Sequence, residues 1–333
     1  MSLLRAMGLP LGIPHTEALQ VWRTGERGQI PPRVRRCSVS SVAIGTLLCK
    51  LMAAIIARAT RSEGVSMPQA EVDGLTINYD VQGQGEPLLL MPYTAADHAC
   101  YAFQLPAYTE HFSCIAVDLP GSGESDKPAG PYSTDGYADQ VAAFLGAIGI
   151  ERAHAAGMSL GAAVGIHLAA RHPGRVRSLS LHSGWHATDD YLKILVDQWR
   201  TLASALPTIA DVVIQGIFPW CFTPEMYVDR PEAVDALVDF VRGRPAQPVE
   251  AFVAQTDAVL AHDASAALAE IDVPTLMTFG ARDLVCGTRF AEPLKSGIGG
   301  SELVVFDHLS HAGLHEDPET FNRATLDFLR RQR

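Results

Sequence analysis

The stretch Gly157-Met158-Ser159-Leu160-Gly161 decides the fold, because it joins an apolar run at residues 154–158 to a run of small residues at 160–171. The first run predicts a strand and the second predicts a helix. A serine between two glycines at such a junction is typical of a sharp turn that holds the hydroxyl clear of the backbone. The glycines keep side-chain bulk away from the crowded approach of strand and helix. We therefore predict that Ser159 is a reactive serine at the end of a strand.

The composition is that of a globular chain long enough for one large domain or two smaller ones. Of the 333 residues, 47% are hydrophobic and 19% are charged. Residues 1–66 carry nine Lys and Arg against three Asp and Glu, so the rest of the chain is strongly acidic. Phosphate binding requires a basic face, and this charge distribution argues against nucleic acid as a partner.

Neither cysteines nor histidines show the spacing of a metal site. The scattered cysteines predict reduced thiols without a disulfide framework. His308, His311 and His315 lie close together, but no cysteine or second histidine pair accompanies them, so we predict no metal. Gly121-Ser122-Gly123 lacks the third glycine of a phosphate-binding loop, and no cofactor is predicted. The six cysteines are Cys37, Cys49, Cys100, Cys114, Cys221 and Cys286.

Residues 1–66 are predicted to lie outside the folded body. Residues 42–57 are apolar apart from Lys50. This run falls short of the roughly 20 residues that a membrane span requires, and no small-residue cleavage site follows it. We interpret residues 1–66 as a disordered extension or an upstream mis-start of translation, which favours a cytoplasmic protein. A membrane or export role for these residues is the alternative.

Strand and helix patterns alternate over residues 67–184 and again over 271–333. Residues 88–91 form the continuous apolar run of a strand that is covered on both faces. Alternation of this kind predicts an α/β fold with a mostly parallel sheet and helices on both faces. Strands are predicted at 75–81, 88–91, 114–117, 154–158, 176–182, 274–279 and 303–306, and helices at 134–148, 160–171 and 318–330.

Residues 185–270 interrupt the alternation. Helices are predicted at 191–204, 206–218, 231–242 and 249–261, and the segment holds much of the aromatic content of the chain. The segment follows the strand after the Ser159 helix. We therefore predict that it forms a helical cap, or lid, over the edge of the sheet that carries Ser159.

Three further motifs accompany residues 157–161. They are Asp118-Leu119-Pro120-Gly121-Ser122-Gly123-Glu124-Ser125, Phe279-Gly280-Ala281-Arg282-Asp283, and Ser310-His311 before Asp317-Pro318. With these motifs the chain resembles the α/β-hydrolase family over about residues 70–331. The resemblance implies the α/β-hydrolase fold, a catalytic triad of Ser159, Asp283 and His311, and the helical segment as a cap.

These three residue types suit nucleophilic catalysis. A serine hydroxyl is a weak nucleophile at neutral pH, and histidine can take its proton and later return it to the leaving group. A buried carboxylate holds the imidazole in the required tautomer. Two rivals are assigned structural roles: His308 lies near His311, and Asp118 precedes Ser159 in the chain and orders its own glycine-rich turn.

The predicted oxyanion hole departs from the family pattern. Most relatives place His-Gly after the third strand, whereas this chain has Pro92-Tyr93-Thr94. Proline has no N–H, so Pro92 cannot donate. We predict that the amide of Leu160 is one donor and that the second is the amide of Thr94 or of Tyr93, with the Tyr93 phenol as another candidate.

The predicted reaction is hydrolysis of a carboxylic ester through an acyl-enzyme, with a small-molecule ester and water as partners. Hydrolysis of carbon–carbon bonds or of enol lactones by the same triad is the alternative within the family. A non-catalytic ligand receptor on the same fold is the alternative of another class. Candidate pocket residues are Met158, Trp185, Trp220 and Phe222.

A weaker resemblance concerns the substrate. Residues 73–107 and Ser183-Gly184-Trp185-His186 look similar to hydrolases of monoalkyl phthalates. Such a half-ester carries a free carboxylate, so the pocket would need a cation. The candidate cations within the helical segment are Lys193, Arg200, Arg230, Arg242 and Arg244.

Overall fold

The computed structural model describes residues 67–333, so the predictions for residues 1–66 lie outside the described part of the chain. Eight strands form one sheet in the order β1-β2-β4-β3-β5-β6-β7-β8. Strand β2 runs antiparallel to β1 and β4, and the other neighbours are parallel, which confirms the predicted sheet. The strands are β1 Gln69–Val72, β2 Leu75–Gln82, β3 Glu86–Met91, β4 Phe112–Val117, β5 Ala153–Met158, β6 Val176–His182, β7 Thr275–Gly280 and β8 Glu302–Phe306.

Most helices agree closely with the sequence patterns. The helix predicted at 206–218 is instead divided into Ile209–Val212, a π-helical turn at Val213–Ile217 and Phe218–Cys221. The last long helix begins at Pro318 with Asp317 as its N-cap, because the carboxylate accepts the Thr320 N–H. Within residues 67–333, no helix combines the length and the hydrophobicity that crossing a bilayer requires. The α-helices are α1 Leu105–Tyr108, α2 Thr134–Ala147, α3 Leu160–Arg171, α4 Asp190–Ala203, α5 Ile209–Val212, α6 Phe218–Cys221, α7 Pro224–Asp229, α8 Pro231–Arg242, α9 Val249–Leu260, α10 Ala291–Gly297, α11 Gly313–Glu316 and α12 Pro318–Arg331.

Different helices cover the two faces of the sheet. Leu89 packs in a hydrophobic cluster with Phe144 of α2. Its neighbours Leu88 and Leu90 pack in a second cluster with Phe328 of α12. Successive side chains of a strand point to opposite faces. The apolar run of β3 therefore marks a strand that is buried on both sides, as the sequence predicted.

The chain between β6 and β7 forms helices α4 to α9. An isolated bridge pairs Ala187 with Asp263, and the Thr188 N–H donates to the His262 carbonyl at 2.9 Å. These contacts join the beginning and the end of the helical segment. The segment therefore leaves the sheet and returns to it at one place.

Three buried histidines make the fold sensitive to acid. Burial lowers the pKa of His182 to about 3 and the pKa values of His262 and His315 to about 4. They are neutral in the folded protein, whereas the unfolded chain binds protons at these side chains below about pH 6.5. The free energy of unfolding is thus expected to fall as the pH drops from about 6.5 toward 4. Urea unfolding at pH 7.5 and pH 5 measures this, and an equal or higher midpoint at pH 5 would contradict it.

Candidate active site

Ser159 lies at the junction of β5 and α3 with φ 51° and ψ −113°. A positive φ costs about 1–3 kcal/mol for a residue with a side chain, so the surrounding structure must hold the turn. The Ser159 N–H donates to the His182 carbonyl at 2.9 Å. A Cβ at Gly157 would overlap the backbone of Gly161, and one at Gly161 would overlap the Met91 carbonyl. The close approach therefore requires both glycines.

Asp283 and His311 come from neighbouring loops at the same edge of the sheet. Asp283 follows β7, and His311 follows β8. The Arg282 N–H donates to the Leu309 carbonyl at 3.0 Å, which ties the two loops together. His311 Nδ1 and Asp283 Oδ2 lie 2.9 Å apart, at hydrogen-bond distance. The two side chains, 28 residues apart in sequence, therefore form one buried pair.

Asp283 is held as a carboxylate. Burial alone would raise its pKa, but the charge of His311 and the hydrogen bond to it outweigh burial, so the pKa lies below its usual range. The second carboxylate oxygen accepts the Val285 N–H at 2.7 Å and the Cys286 N–H at 3.0 Å. Two amides thus fix the rotation of the carboxylate, and the other oxygen faces the imidazole.

Ser159 and His311 line the same cavity, which has a volume of about 50 Å³. Over residues 67–333, no hydrogen bond joins the Ser159 hydroxyl to the His311 imidazole. Such bonds are often long before substrate is bound. A second cavity of about 550 Å³ shares Tyr93, Val213 and Phe218 with the first, so the two adjoin.

The amides of Leu160 and Thr94 are available as donors. Leu160 is the first residue of α3, where backbone N–H groups have no partner within the helix. Thr94 lines the cavity with Ser159, in a turn closed by the Ala96 N–H donating to the Tyr93 carbonyl at 3.2 Å. In the described part of the chain, neither the Thr94 nor the Leu160 amide has a hydrogen-bond acceptor.

The Tyr93 phenol has a different partner from the one that the sequence suggested. Its hydroxyl lies 3.0 Å from His315 Nε2, and both side chains line the cavity. Burial raises the pKa of Tyr93 well above its usual range, so the phenol stays protonated. His315 is neutral, for the reason given above. This neutral pair forms part of the wall beside Ser159.

Comparison with known proteins agrees with this geometry. The sequence profile of the alpha/beta hydrolase fold matches residues 87–224. The putative carbamate hydrolase RutD of Caulobacter segnis is 30% identical over 271 residues, which cover 79% of this chain and 99% of that protein. The chain belongs to the α/β-hydrolase fold family. The predicted α/β-hydrolase resemblance and fold are therefore confirmed.

Two further proteins are similar to this α/β hydrolase. A pimeloyl-[acyl-carrier protein] methyl ester esterase of Neisseria meningitidis is 33% identical over 238 residues, covering 68% of this chain and 70% of that protein. The crystal structure of the enol-lactonase from Burkholderia xenovorans has a TM-score of 0.70 at 25% identity, and the match covers 79% of this chain and 99% of that one.

Two of the four predicted pocket residues line the cavity of this α/β hydrolase, and two do not. Met158 and Phe222 contribute to the wall beside Ser159. Trp185 instead is buried against His262, with ring centroids 5.2 Å apart. Trp220 lies on α6 and is not among the residues that line this cavity. The lining of this cavity therefore gives no support to the predicted pocket roles of Trp185 and Trp220.

Sequence reasoning missed several residues of the cavity. His315 lies four positions after His311, and this spacing could have suggested a shared face. Trp199 of α4 and Val213 gave no such signal, because their patterns are those of ordinary buried helix positions. Their place at the cavity follows from how the helical segment packs on the sheet.

Most of the candidate cations of this α/β hydrolase have acidic partners at the surface. Lys193 pairs with Asp190, Arg200 with Asp257, and Arg242 with Asp211. Arg230 donates to the Glu316 carbonyl at 2.6 Å. Arg244 and Arg242 line the larger cavity. Arg244 is the more buried of the two, and its Nε pairs with the buried Asp97 at 2.8 Å.

The two rivals of the triad residues lie in other surroundings. His308 is exposed and pairs with Asp317, with His308 Nε2 3.1 Å from the carboxylate. Asp118 is buried and accepts the Glu124 N–H at 2.9 Å, which orders the turn that the sequence assigned to it. Asp118 also lies near Asp97 and His98, in the one described group with the composition of a metal site. Hydrogen-bond donors already occupy these carboxylates.

Proposed function

We propose that this α/β hydrolase cleaves carboxylic esters through an acyl-enzyme formed on Ser159. The hydroxyl attacks the ester carbonyl as His311 takes its proton, and the tetrahedral intermediate then expels the alcohol, which receives that proton. Water activated by His311 attacks the acyl-enzyme and releases the acid. The observation that carries the proposal is the strained Ser159 in one cavity with His311, whose Nδ1 is bonded to Asp283.

Asp283 orients His311 in this scheme and stabilises the imidazolium that forms. Its lowered pKa supports this role, because a carboxylate that stays ionised can interact with a positive imidazole. The amides of Leu160 and Thr94 are proposed as the donors to the oxyanion. Both are without an acceptor in residues 67–333, and Thr94 lines the cavity of Ser159. Each such donor contributes about 3–4 kcal/mol to transition-state stabilisation.

The helical segment at residues 185–270 is proposed to act as the cap. Its residues Trp199, Phe218 and Phe222 face Ser159 and give the cavity an apolar wall. Apolar walls with few polar groups suit an apolar acyl or alkyl group. The adjoining cavity of about 550 Å³ provides room for the larger part of the ester.

Enol-lactone hydrolysis is the second candidate. The structural match to the enol-lactonase from Burkholderia xenovorans favours it. A lactone is an internal ester, so the same residues can open it, and the alcohol then stays attached to the acyl-enzyme. Turnover of an enol lactone at a higher kcat/KM than any open-chain ester would favour this candidate.

The finer part of the proposal is that the substrate carries a free carboxylate, as the half-esters of phthalate do. Arg244 Nε donates to Asp97 at 2.8 Å, and among residues 67–333 the terminal amino groups of Arg244 have no acceptor. The guanidinium lies at the larger cavity, 5.6 Å from the centre of the Phe240 ring. The two terminal amino groups form a planar fork of donors, and such a fork suits a carboxylate.

An ester panel tests the function and the carboxylate preference together. Wild type should hydrolyse p-nitrophenyl butyrate and should prefer monobutyl phthalate over its neutral diester. Arg244→Lys keeps a charge beside Asp97 but loses the fork, so kcat/KM for the half-ester should fall about 10-fold or more while that for p-nitrophenyl butyrate changes little. Arg200→Lys is the control, because Arg200 lines neither cavity. Equal loss on both esters would contradict a carboxylate site at Arg244.

A further inference from the structure

Gln255 of α9 is a buried amide that reaches from the helical segment to the turn carrying Thr94. Its Oε1 accepts the Ala95 N–H at 3.1 Å, and its Nε2 donates to the Ser122 hydroxyl at 2.8 Å. Only 1% of the residue is exposed. We propose that Gln255 is a positioning residue, which holds the Thr94 amide toward Ser159. This inference rests on the proposed ester hydrolysis.

The turn itself needs an external support. Ala95 has φ 61°, a left-handed conformation that costs about 1–2 kcal/mol for a residue with a side chain. One backbone hydrogen bond closes the turn, from the Ala96 N–H to the Tyr93 carbonyl at 3.2 Å, the upper end of the usual range. Left alone, a strained turn with a single closing bond would populate other conformations.

Two peptide units determine where the Thr94 N–H points. The Tyr93 carbonyl and the Thr94 N–H belong to one planar trans peptide, so they point in opposite directions. The carbonyl faces the Ala96 N–H inside the turn, which directs the Thr94 N–H outward. The next peptide carries the Ala95 N–H, and the bond to Gln255 fixes it. Loss of that bond would let this peptide rotate and carry the Thr94 amide with it.

Gln255 is held in place before any substrate arrives. Its Oε1 also accepts from Gln247 Nε2 at 3.0 Å, and the same Gln247 nitrogen donates to the Gly121 carbonyl at 2.8 Å. These donors fix which end of the Gln255 amide carries the oxygen, because a reversed amide would place its NH₂ group against the Ala95 N–H. Gln255 lines neither of the two cavities at the site. It therefore acts through the turn and not by touching substrate.

A variant series on p-nitrophenyl butyrate tests the inference. Gln255→Met removes the acceptor and keeps a side chain of similar size. We expect kcat to fall about 10–100-fold, which is less than the loss expected when an oxyanion donor is missing altogether. KM should stay within about 3-fold. Gln255→Glu keeps an acceptor for Ala95, and the Ser122 hydroxyl can turn to donate to its second oxygen, so kcat should recover to within about 5-fold of wild type. Thr256→Val is the control, since it removes a buried hydroxyl of the same helix that donates to the Val253 carbonyl and lines neither cavity. We expect its kcat to stay within about 2-fold.

A second readout separates positioning from general damage. A trifluoromethyl ketone forms an oxyanion on the serine, so its Ki should rise with the fall in kcat in Gln255→Met, whereas the Ki of the product butyrate should not change. Ser122→Ala is a milder variant that removes one hydrogen bond to Gln255, and it should lower kcat about 2–5-fold. It replaces Gln255→Met as the test if that variant does not fold. The inference would be overturned if kcat were unchanged in both Gln255→Met and Ser122→Ala, or in whichever of the two folds. Equal losses in Gln255→Met, Gln255→Glu and Thr256→Val would also overturn it.

The same assays distinguish this inference from the proposed function. Full turnover by Ser159→Ala would reject the acyl-enzyme mechanism whatever Gln255 does. Loss of turnover in Ser159→Ala together with a normal Gln255→Met would reject only the role of Gln255.

Discussion

Replacing Ser159 by alanine is expected to lower kcat for p-nitrophenyl butyrate by about 10⁵-fold or more, with no compensating fall in KM. The change removes one oxygen atom and leaves the strained turn in place, because the Ser159 N–H still donates to the His182 carbonyl. The midpoint of thermal unfolding should therefore move by only a few degrees. Stopped assays at high enzyme concentration, with unfolding followed by circular dichroism, measure both quantities.

A serine elsewhere in the sheet provides the control for Ser159. Ser180 of β6 is buried, and its hydroxyl has no hydrogen-bond partner in the described part of the chain. Ser180→Ala should keep full turnover. A fluorescent organophosphonate should label wild type and Ser180→Ala once per chain and should not label Ser159→Ala. Labelling of folded Ser159→Ala at the wild-type rate would place the nucleophile at another residue.

Replacing His311 by alanine is expected to lower kcat by about 10⁵-fold, because Ser159 then has no base to take its proton. Asp283→Asn should cost about 10⁴-fold, since the amide favours the wrong tautomer of the imidazole but leaves it in place. The smaller loss follows from geometry: Asp283 touches His311 at 2.9 Å and does not line the cavity of Ser159. Steady-state kinetics on His311→Ala and Asp283→Asn measure the ratio of their kcat values.

His308 offers a matched control for His311. It is exposed, and it pairs with Asp317 at the surface. His308→Ala should keep kcat within about 2-fold of wild type, because surface ion pairs contribute little. Retention of activity by His311→Ala, or a loss in His308→Ala as large as that in His311→Ala, would contradict the assignment of the base.

Pattern alone predicted the parts of the site that depend on local conformation. The strained turn at Ser159 needs glycine on both sides, and those glycines are visible in the sequence. The resemblance to the α/β-hydrolase family implied the acid and the histidine, and the structure brings Asp283 and His311 together at the edge of the sheet. The covered faces of the sheet were likewise predictable from the apolar run of β3.

The walls of the site were less predictable. Trp185 and Trp220 are aromatic residues of the helical segment, yet neither lines the cavity of Ser159. Trp199 and His315 do face it. Whether an aromatic side chain points toward a cavity or into the core depends on the rotation of each helix about its axis. Helical periodicity shows that a face is apolar but not which neighbour covers it.

The sequence by itself determined the sheet and the sharp turn at Ser159, because strand alternation and glycine act through neighbouring residues. Only the tertiary structure decided how Gln255 meets Ala95 across 160 positions, how Arg244 meets Asp97 across 147, and which residues close the cavity. These contacts follow from how the helical segment docks on the sheet. Docking depends on the complementary shapes of distant surfaces, which no local pattern encodes.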